Sequence, residues 1–287
     1  MRALASASGW PIARCAPLLA VVIAIAACST KAPQQAALVA APPTPVTPVR
    51  VAVVAEPARE IVGAAYRRRY PVKTAVDKLV TNHGNGFDDL YGTRNVRAVL
   101  NGVYYRGGAN NAFHRDGKRH NSNPLPADGL ANLCREGFSS AVYLYPTRYD
   151  TAPDSETCRT HEGDDGHLEY GQISVLLGRR ADIHRILVDV HEHVRRPELG
   201  PMYVHCWNGW HASGYAAAAT LRQFCGFSVD QAIRYWNLNT DGANGPGYEK
   251  VRNLIRRFEP FPELTISAEE QAALCPDPET YAFRAQP

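Results

Sequence analysis

Cys206 stands where an apolar run meets a stretch that predicts a helix. Residues 201–204 predict a buried strand, His205 and Cys206 end it, and Ser213 and Gly214 open an alanine-rich segment. A strand, loop and helix in that order gather backbone N–H groups and the positive end of a helix dipole around one point, which suits an anion. A cysteine at that point is expected to be partly thiolate at neutral pH. The sequence therefore indicates Cys206 as a nucleophile.

The N-terminus has the pattern of an export signal. Arg2 and Arg14 precede an apolar run over residues 16–27. This run is too short to span a bilayer but suits the core of a signal peptide. The run ends in Ile-Ala-Ala-Cys, which resembles the bacterial lipobox, so we expect residues 1–27 to be removed and Cys28 to carry a lipid anchor. A serine follows that cysteine, which indicates the outer membrane, periplasmic side. A plain secretory signal is the alternative.

Removal of the signal takes away two Arg and no acidic residue, so the formal charge falls from +3 to +1. A near-neutral protein is a poor binder of nucleic acid, and no nucleic-acid partner is expected. The one tight basic run is Arg67–Arg69. A solvated face is favoured for it over contact with anionic lipid.

The cysteine count supports a free thiol in the loop. Without the cysteine in the signal and the lipidated one, five of the seven remain: Cys134, Cys158, Cys206, Cys225 and Cys275. Thiols tend to pair in exported proteins, so an odd number predicts two disulfides and one free cysteine, which the loop position indicates is Cys206. Proximity favours Cys134 with Cys158 and Cys225 with Cys275, although the connectivity stays open.

Composition divides the mature chain into three parts. Residues 28–65 are rich in Pro and Ala and predict a tether, residues 66–262 are long enough for one domain, and residues 263–287 form a C-terminal tail. Strands are predicted at 102–105, 140–145, 168–174 and 201–204, a polar loop at 147–166, and helices at 127–135, 183–194, 213–225, 228–236 and 248–258. This alternation predicts a single α/β domain with a mostly parallel central sheet flanked by helices.

No histidine spacing matches a metal site. His114 and His120 lie in a long loop without the tight spacing of ligands, and a surface position is favoured for both. His191 and His193 lie two apart on a predicted helix and face different directions. Neither a metal nor another cofactor is expected.

The region from Gly102 to Phe258 resembles the bacterial branch of the cysteine-dependent tyrosine and dual-specificity phosphatases. The central match is to the phosphate-binding signature of His-Cys, five residues, Arg, Ser or Thr, and Gly, at His205-Cys206 and Ser213-Gly214. Further segments resemble the family's opening strand, its helix, glycine and strand unit, and its helix ending in Tyr or Trp: Val103–Gly108, Leu130–Leu144 and Phe227–Trp236. The resemblance implies a protein tyrosine phosphatase-like fold.

The resemblance also implies a role for each signature residue. Cys206 attacks phosphorus, His205 is a structural tuner of the thiolate, and Ser213 donates a hydrogen bond that helps Cys206 leave. The phosphate-binding loop comprises Trp207, Asn208, Gly209, Trp210, His211 and Ala212. Gly209 lets the backbone approach the phosphate. The two tryptophans are placed to wall the pocket and stack on a flat group such as a phosphotyrosine ring, unless one of them packs into the core.

The sequence departs from the family at the arginine that clamps the phosphoryl oxygens, because Ala212 occupies its position. A small residue does not reproduce a bidentate guanidinium contact, and its loss costs on the order of a hundredfold or more in rate. His211 would substitute in part only if protonated. Arg106 is a second candidate, with a structural salt bridge as its favoured role. The general acid stays unassigned among Asp164, Asp165 and Asp182.

Three functions remain open. The first is a metal-independent phosphatase that hydrolyses phosphomonoesters, such as phosphotyrosine, through a Cys206 phosphoenzyme. The second is a catalytically weakened relative that binds a phosphorylated or other anionic ligand, or a protein partner, through the same loop. The third is a cysteine hydrolase of cell-wall peptides with His211 or a distant histidine as base, although five residues across a loop is poor spacing for a Cys and His pair.

Overall fold

The structure is a computed structural model that describes residues 62–109, 124–146 and 152–284. All described residues belong to one compact unit that spans residues 56–287. The predicted signal peptide, Cys28, most of the predicted tether, and His114 and His120 lie outside the described residues. Within the described ranges, no helix combines the length and the apolar character needed to cross a bilayer.

A six-stranded mixed sheet forms the centre of the domain. Its strands are β1 (Thr93–Leu100), β2 (Tyr104–Ala109), β3 (Ser140–Tyr143), β4 (Ser155–Arg159), β5 (Asp165–Gln172) and β6 (Met202–Cys206). Their order across the sheet is β1-β2-β6-β3-β5-β4. The four inner strands pair in parallel, and the edge strands β1 and β4 pair antiparallel to their neighbours. The predicted central parallel sheet is confirmed, and β6 lies in its middle.

Helices cover both faces of the sheet. Those in the described ranges are α1 (Ala64–Arg69), α2 (Ala127–Arg135), α3 (Arg180–Arg195), α4 (Ala212–Phe224), α5 (Val229–Leu238), α6 (Glu249–Arg257) and α7 (Ala268–Leu274). One apolar cluster joins α3, α4, α5 and α6 to one face of the sheet, and a second joins α2 to the other face. The predicted capping box begins α5, where Ser228 Oγ accepts a hydrogen bond from the N–H of Gln231. The predicted α/β fold with flanking helices is confirmed.

The sequence pattern does not predict the two edge strands. β4 lies inside the predicted polar loop at 147–166, and its residues are half-buried or exposed, so it lacks the apolar alternation that marks a strand. β1 is buried along its whole length but contains Arg94 and Arg97 in place of an apolar run. Hydrogen bonds to neighbouring strands and loops, which the local pattern does not encode, stabilise both strands.

The prediction that Arg67–Arg69 form a solvated face is wrong for two of the three residues. Arg67 is buried and donates a hydrogen bond to the carbonyl oxygen of Ala273 at 2.8 Å. Arg69 Nε lies 2.7 Å from Oε2 of the buried Glu136. The basic run instead ties α1 to the rest of the domain, because a buried carboxylate and an open helix carbonyl each need a donor.

α4 is buried over its first ten residues, Ala212–Leu221. It contacts α3, α5 and α6 on its sides, and β2 and β6 beneath it. Small side chains permit this close approach; a Cβ on Gly214 would lie only 2.8 Å from Cδ1 of Trp236. The alanine-rich sequence therefore places the N-terminus of α4 inside the domain, next to the end of β6.

The C-terminal segment packs on the domain as far as Arg284, the last residue described. Leu274, Cys275 and Tyr281 are buried, and Ala282 forms a backbone bridge with Thr74. Disulfides join Cys134 to Cys158 and Cys225 to Cys275, so the predicted pairing is confirmed. The second disulfide attaches this segment to the C-terminal end of α4.

Replacing both Cys225 and Cys275 by serine is expected to lower the free energy of unfolding by about 4 kcal/mol, because the bridge restricts the unfolded chain. It joins cysteines 50 residues apart. The matched control removes Cys134 and Cys158, which lie 24 residues apart, at an expected cost of about 3.5 kcal/mol. Denaturant unfolding followed by circular dichroism measures both. A larger loss in the control pair would contradict the expectation.

Candidate functional site

Cys206 ends β6, and α4 begins six residues later at Ala212. Its thiol is the one free cysteine of the described residues, and the residue is 2% exposed. Cys206 Sγ lies 3.4 Å from Oγ of the buried Ser213 in the first turn of α4. The fold therefore brings together the predicted nucleophile and the predicted hydroxyl donor at the N-terminus of a buried helix.

His205 precedes the thiol but its side chain points to the other face of the sheet. Its ring stacks on those of Tyr143, Tyr170 and Tyr203, with centroids 5.2, 5.8 and 5.8 Å away. Nε2 lies 2.9 Å from the Tyr170 hydroxyl oxygen. Burial lowers the pKa of His205 to about 3, so the ring is neutral near pH 7. It can fix the end of β6 but supplies no positive charge to a thiolate.

Gly209 permits a close approach between the loop and β2. Its φ is +74°, in the left-handed region, and a Cβ would lie 2.6 Å from the carbonyl carbon of Gly107. The N–H of Ala109 donates to the carbonyl oxygen of Trp207 at 3.1 Å, which attaches the loop to the same strand. No other residue type fits this position without a shift of backbone.

Buried side chains bind the first three carbonyls of the loop, those of residues 207–209. The donors are Arg94 Nε to Trp207 at 3.1 Å, Asn95 Nδ2 to Asn208 at 2.6 Å, and Arg106 Nη1 to Gly209. All three donor residues are fully buried. The N–H of a trans peptide points opposite to its C=O, so the N–H groups of residues 208 and 210 point away from these donors, whereas Gly209 is held against β2 by the antiparallel bridge between Gly108 and Asn208.

The sequence did not indicate Arg94 or Asn95 as parts of the site. Both lie on β1, which is remote in sequence from the loop and reaches it only across β2. The signal that could have found them is charge in a buried context, since an arginine without solvent needs acceptors. Arg106 was expected to form a structural salt bridge. Within the described ranges it instead donates to the carbonyls of Gly209 and Asn239.

His211 is not placed to replace the missing arginine. Its Nε2 lies 2.7 Å from the carbonyl oxygen of Ala243, and its ring stacks on Tyr248 with centroids 3.8 Å apart. Burial lowers the pKa of His211, so the ring is neutral at pH 7 and its Nε2–H donates to Ala243. Partial substitution by a protonated His211 is therefore wrong.

Ala212 is fully buried and its methyl group belongs to the core beneath α4. The position of the family's clamp thus presents no polar atom beyond its peptide group. The N–H groups of residues 212–214 open α4 and precede its first internal hydrogen bond, which runs from Tyr215 to His211. Any anion at Cys206 would meet peptide dipoles at this position and no guanidinium.

Both tryptophans lie at the rim of the loop. Trp207 is 40% exposed, stacks on Tyr145 at 5.5 Å and donates from Nε1 to the Tyr143 hydroxyl at 3.2 Å. Trp210 is half-buried and donates from Nε1 to Asp241 Oδ2 at 3.2 Å. Neither belongs to the buried core clusters, so the alternative in which one of them fills the core is wrong.

None of the three predicted acid candidates makes a contact that presents it to the loop. Asp164 and Asp165 lie at the amino end of β5, whereas Cys206 lies at the carboxyl end of β6, which runs in the same direction. Tyr143 of β3 pairs with Gln172 of β5 and with His205 of β6, so Gln172 and His205 lie at the same height in the sheet. Asp165, at the opposite end of β5, is therefore about 25 Å from Cys206 along the strand direction. Asp182 is ion-paired with Arg179 at 2.7 Å.

Among the described residues, Asp241 is a carboxylate that the structure places at the loop, and its only signal in the sequence is its position in a loop after α5. It accepts from Trp210, lies 2.7 Å from Lys78 Nζ and lies 3.3 Å from Arg97 Nη2. Burial alone would raise its pKa, but the hydrogen bond from Lys78 and the charge of Arg97 outweigh burial, so the pKa is lowered. Asp241 is ionised at neutral pH and holds no proton to give.

Other polar groups lie at the amino end of the sheet. A cleft of about 1060 Å³ opens there, and its lining includes Ser139 and His193, whose side chains are 3.1 Å apart. Asp89, Glu136 and His161 offer ligand atoms within 4.8 Å of one another, the spacing of a metal site. Arg69 already occupies Glu136, so a cation would have to displace it. Neither group includes a residue of the loop.

No protein-family model matches this sequence, and no curated protein matches it. Among solved structures, it is similar to the core catalytic domain of the PP-IP phosphatase SIW14 from S. cerevisiae in complex with citrate, at 16% identity and a TM-score of 0.38, over 58% of this chain and 86% of that one. A second Siw14 catalytic core has 15% sequence identity and a TM-score of 0.36, over 57% of this chain and 85% of that one. PTPMT1 has 16% sequence identity and a TM-score of 0.29, over 61% of this chain and 88% of that one.

Gly209→Ala is expected to destabilise the domain by about 2 to 3 kcal/mol, because it adds both an unfavourable φ and a contact with the backbone of Gly107. The matched control is Gly163→Ala, since Gly163 has a φ of +91° but open space around its Cβ. The control should cost only about 1 kcal/mol. Denaturant unfolding measures both, and equal losses would show that the close approach does not matter.

His205→Gln is expected to reduce the loss of stability between pH 6.5 and pH 3. The ordinary pKa applies to the unfolded chain and the folded value is about 3, so the unfolded state binds more protons in this window. Stability of the wild type therefore falls as pH falls, by up to about 1.4 kcal/mol per pH unit from this residue.

Free energies of unfolding at several pH values measure this difference. Asp189, whose pKa burial raises to about 6, is common to both proteins and cancels from the comparison. Parallel curves for the wild type and His205→Gln would contradict the assignment of a neutral, buried ring.

Proposed function

We propose that this chain is a phosphatase-like protein that hydrolyses phosphomonoesters without a metal, through a phosphoenzyme on Cys206. The observation that carries the proposal is the thiol of Cys206 at the N-terminus of the buried helix α4, 3.4 Å from Ser213 Oγ. The peptide groups between them are fixed by buried donors on β1 and β2. A preorganised ring of dipoles of this kind stabilises charge that develops on phosphoryl oxygens.

Binding would use peptide N–H groups in place of side-chain cations. Those of residues 208 and 210 point away from the buried donors, and those of residues 212–214 open α4. The positive end of the α4 dipole adds to them at the same point. A phosphate monoester has three terminal oxygens, and such a loop offers enough donors to meet them.

The first chemical step forms a bond between sulfur and phosphorus and breaks the ester bond. The thiolate of Cys206 attacks phosphorus in line with the leaving oxygen, which departs with the electron pair and takes a proton from water or from an acid. In the second step water attacks phosphorus, the bond to sulfur breaks, and inorganic phosphate leaves. The Ser213 hydroxyl donates to the sulfur as its negative charge returns.

Aryl esters such as phosphotyrosine are the favoured substrates. The carboxylate at the loop, Asp241, is ionised, and a phenol with a pKa of about 10 leaves with far less help from an acid than an alkyl alcohol does. The stacked pair of Trp207 and Tyr145 gives the rim an aromatic surface. A flat aromatic ring packs well against such a surface.

A second candidate is a catalytically weakened protein that binds a phosphorylated or other anionic ligand through the same loop. The fully buried Ala212 and the neutral His211 favour it, because neither supplies the charge that grips the transition state. Binding needs only the peptide donors, whereas turnover needs differential stabilisation of the transition state. The two candidates share the site and differ only in hydrolysis.

The proposal includes the location expected from the N-terminal sequence. Lipid on Cys28 would hold the domain at the periplasmic side of the outer membrane, with the residues between Cys28 and α1 as the tether. The two disulfides suit an oxidising compartment. The substrate or ligand would then be a phosphorylated molecule of the cell envelope, and no nucleic-acid partner is proposed.

Hydrolysis of an aryl phosphate in the presence of a chelator tests the proposal. The wild type should turn over, Cys206→Ser should lose turnover by about a thousandfold or more, and Ala212→Arg should raise it by at least about tenfold. Circular dichroism checks that each variant folds, since position 212 is buried.

Absence of turnover in both the wild type and a folded Ala212→Arg variant would sink the phosphatase assignment. Calorimetric titration with inorganic phosphate then decides the second candidate. Saturable binding that Cys206→Ser retains would support a binding protein, and no binding would remove both.

A further inference from the structure

Arg106 is a buried cation beneath the loop. It lies on β2 and is fully buried. Its Nη1 donates to the carbonyl oxygen of Gly209, and its Nη2 donates to the carbonyl oxygen of Asn239 at 3.4 Å. Its guanidinium carbon lies 5.8 Å from the centre of the Tyr235 ring. In the described ranges no carboxylate pairs with it, and its Nε has no hydrogen-bond partner.

The side chain of Arg106 shares a face of the sheet with that of Cys206. β2 and β6 are parallel, and their register pairs Arg106 with Val204. Side chains alternate along a strand, so Val204 and Cys206, two residues apart, point to the same side as Arg106. Tyr104, two residues before Arg106 on β2, lies on that face as well and belongs to the same buried cluster as Val204 and Cys206. The guanidinium and the thiol therefore belong to one buried environment.

A buried charge without an opposite charge is unfavourable by several kcal/mol, unless an anion or well-oriented dipoles compensate it. Two carbonyl dipoles and an aromatic face compensate Arg106 in part. Arg97, the neighbouring buried arginine, differs because it pairs with Asp241. The charge that Arg106 lacks is one that a thiolate or a bound oxyanion at Cys206 would supply.

We propose that Arg106 is a positioning residue that supplies, from beneath the loop, the positive charge that Ala212 does not supply from above. It acts through the Gly209 carbonyl, which it holds on the sheet side, and its charge stabilises the thiolate of Cys206 and an anion bound over it. The anion part rests on the proposed function, whereas the thiolate part does not. Arg106 touches neither phosphorus nor sulfur.

The first measurement is the pH profile of alkylation of Cys206 by iodoacetamide in the full chain. Mass spectrometry of the peptide that contains Cys206 separates it from the cysteines near the N-terminus. Arg106→Gln keeps an N–H donor for the Gly209 carbonyl but removes the charge, and Arg106→Lys keeps the charge. Arg222→Gln is the matched control, because Arg222 also donates to two carbonyls, those of Ile255 and Phe258, away from the loop.

The charge assignment predicts a distinct pattern among these variants. Arg106→Gln should move the midpoint of the profile to higher pH by about one unit, because a cation near a thiolate favours the ionised form. Arg106→Lys and Arg222→Gln should keep it near the wild-type value.

Three tyrosines close to Cys206 do not titrate in the pH range of the alkylation profile. Tyr104, Tyr145 and Tyr203 lie on the surrounding strands and loops, and burial raises the pKa of each, so they stay neutral below pH 9. Arg94 is common to all variants, and His205 is neutral throughout. The shift in Arg106→Gln therefore reports the charge of Arg106.

The second measurement is calorimetric titration with inorganic phosphate, for which Arg106→Gln should bind about tenfold more weakly than the wild type. A midpoint for Arg106→Gln equal to that of the wild type or of Arg222→Gln would overturn the inference. If Arg106→Gln does not fold, the Arg106→Lys variant decides the question. An alkylation midpoint in Arg106→Lys as high as that of an ordinary exposed cysteine would also overturn the inference. If neither the wild type nor any variant binds phosphate, but Arg106→Gln still moves the alkylation midpoint to higher pH, only the proposed function is refuted.

Discussion

The hydrogen bonds from buried Arg94, Asn95 and Arg106 to the carbonyls of residues 207–209 are the interaction on which the rest of the site depends. They determine which way three successive peptides face, and thus where the following N–H groups point. Without them, three carbonyl dipoles would be free to turn toward the thiol and would repel an anion. Gly209 makes the arrangement possible, because a Cβ there would collide with β2.

The same constraint gives the loop an arrangement of peptide groups that suits an anion, although Ala212 supplies no charge. A guanidinium at position 212 would approach an anion from solvent, whereas Arg106 lies below the loop and is held by the fold. His211 faces Ala243 and Tyr248 and is neutral, and Asp241 is ionised within its own ion pairs. The loop therefore combines strong preorganisation with few described groups that can transfer a proton, and the proposed activity would for this reason favour good leaving groups.

α4 is fixed at both ends. At its N-terminus the close contact between Gly214 and Trp236 places the first turn beside Cys206, and at its C-terminus Cys225 is joined to Cys275. The C-terminal segment thus contributes to the site at a distance, since α4 can shift only if that segment shifts as well. Because the first ten residues of α4 are buried, such a link limits motions that would lengthen the 3.4 Å contact between Cys206 Sγ and Ser213 Oγ.

The sequence by itself determined the features that depend on local pattern. Periodicity placed β6, α3 and α4, the odd number of cysteines indicated a free Cys206, and chain proximity gave the disulfide pairs that the structure contains. Only the tertiary structure decided what surrounds the thiol. Arg94, Asn95 and Asp241 come from remote elements, and the charge states of His205 and His211 follow from burial, which no local pattern encodes. Spacing along the chain fixes where a loop can form, whereas the electrostatics of that loop arise from residues brought to it across the sheet.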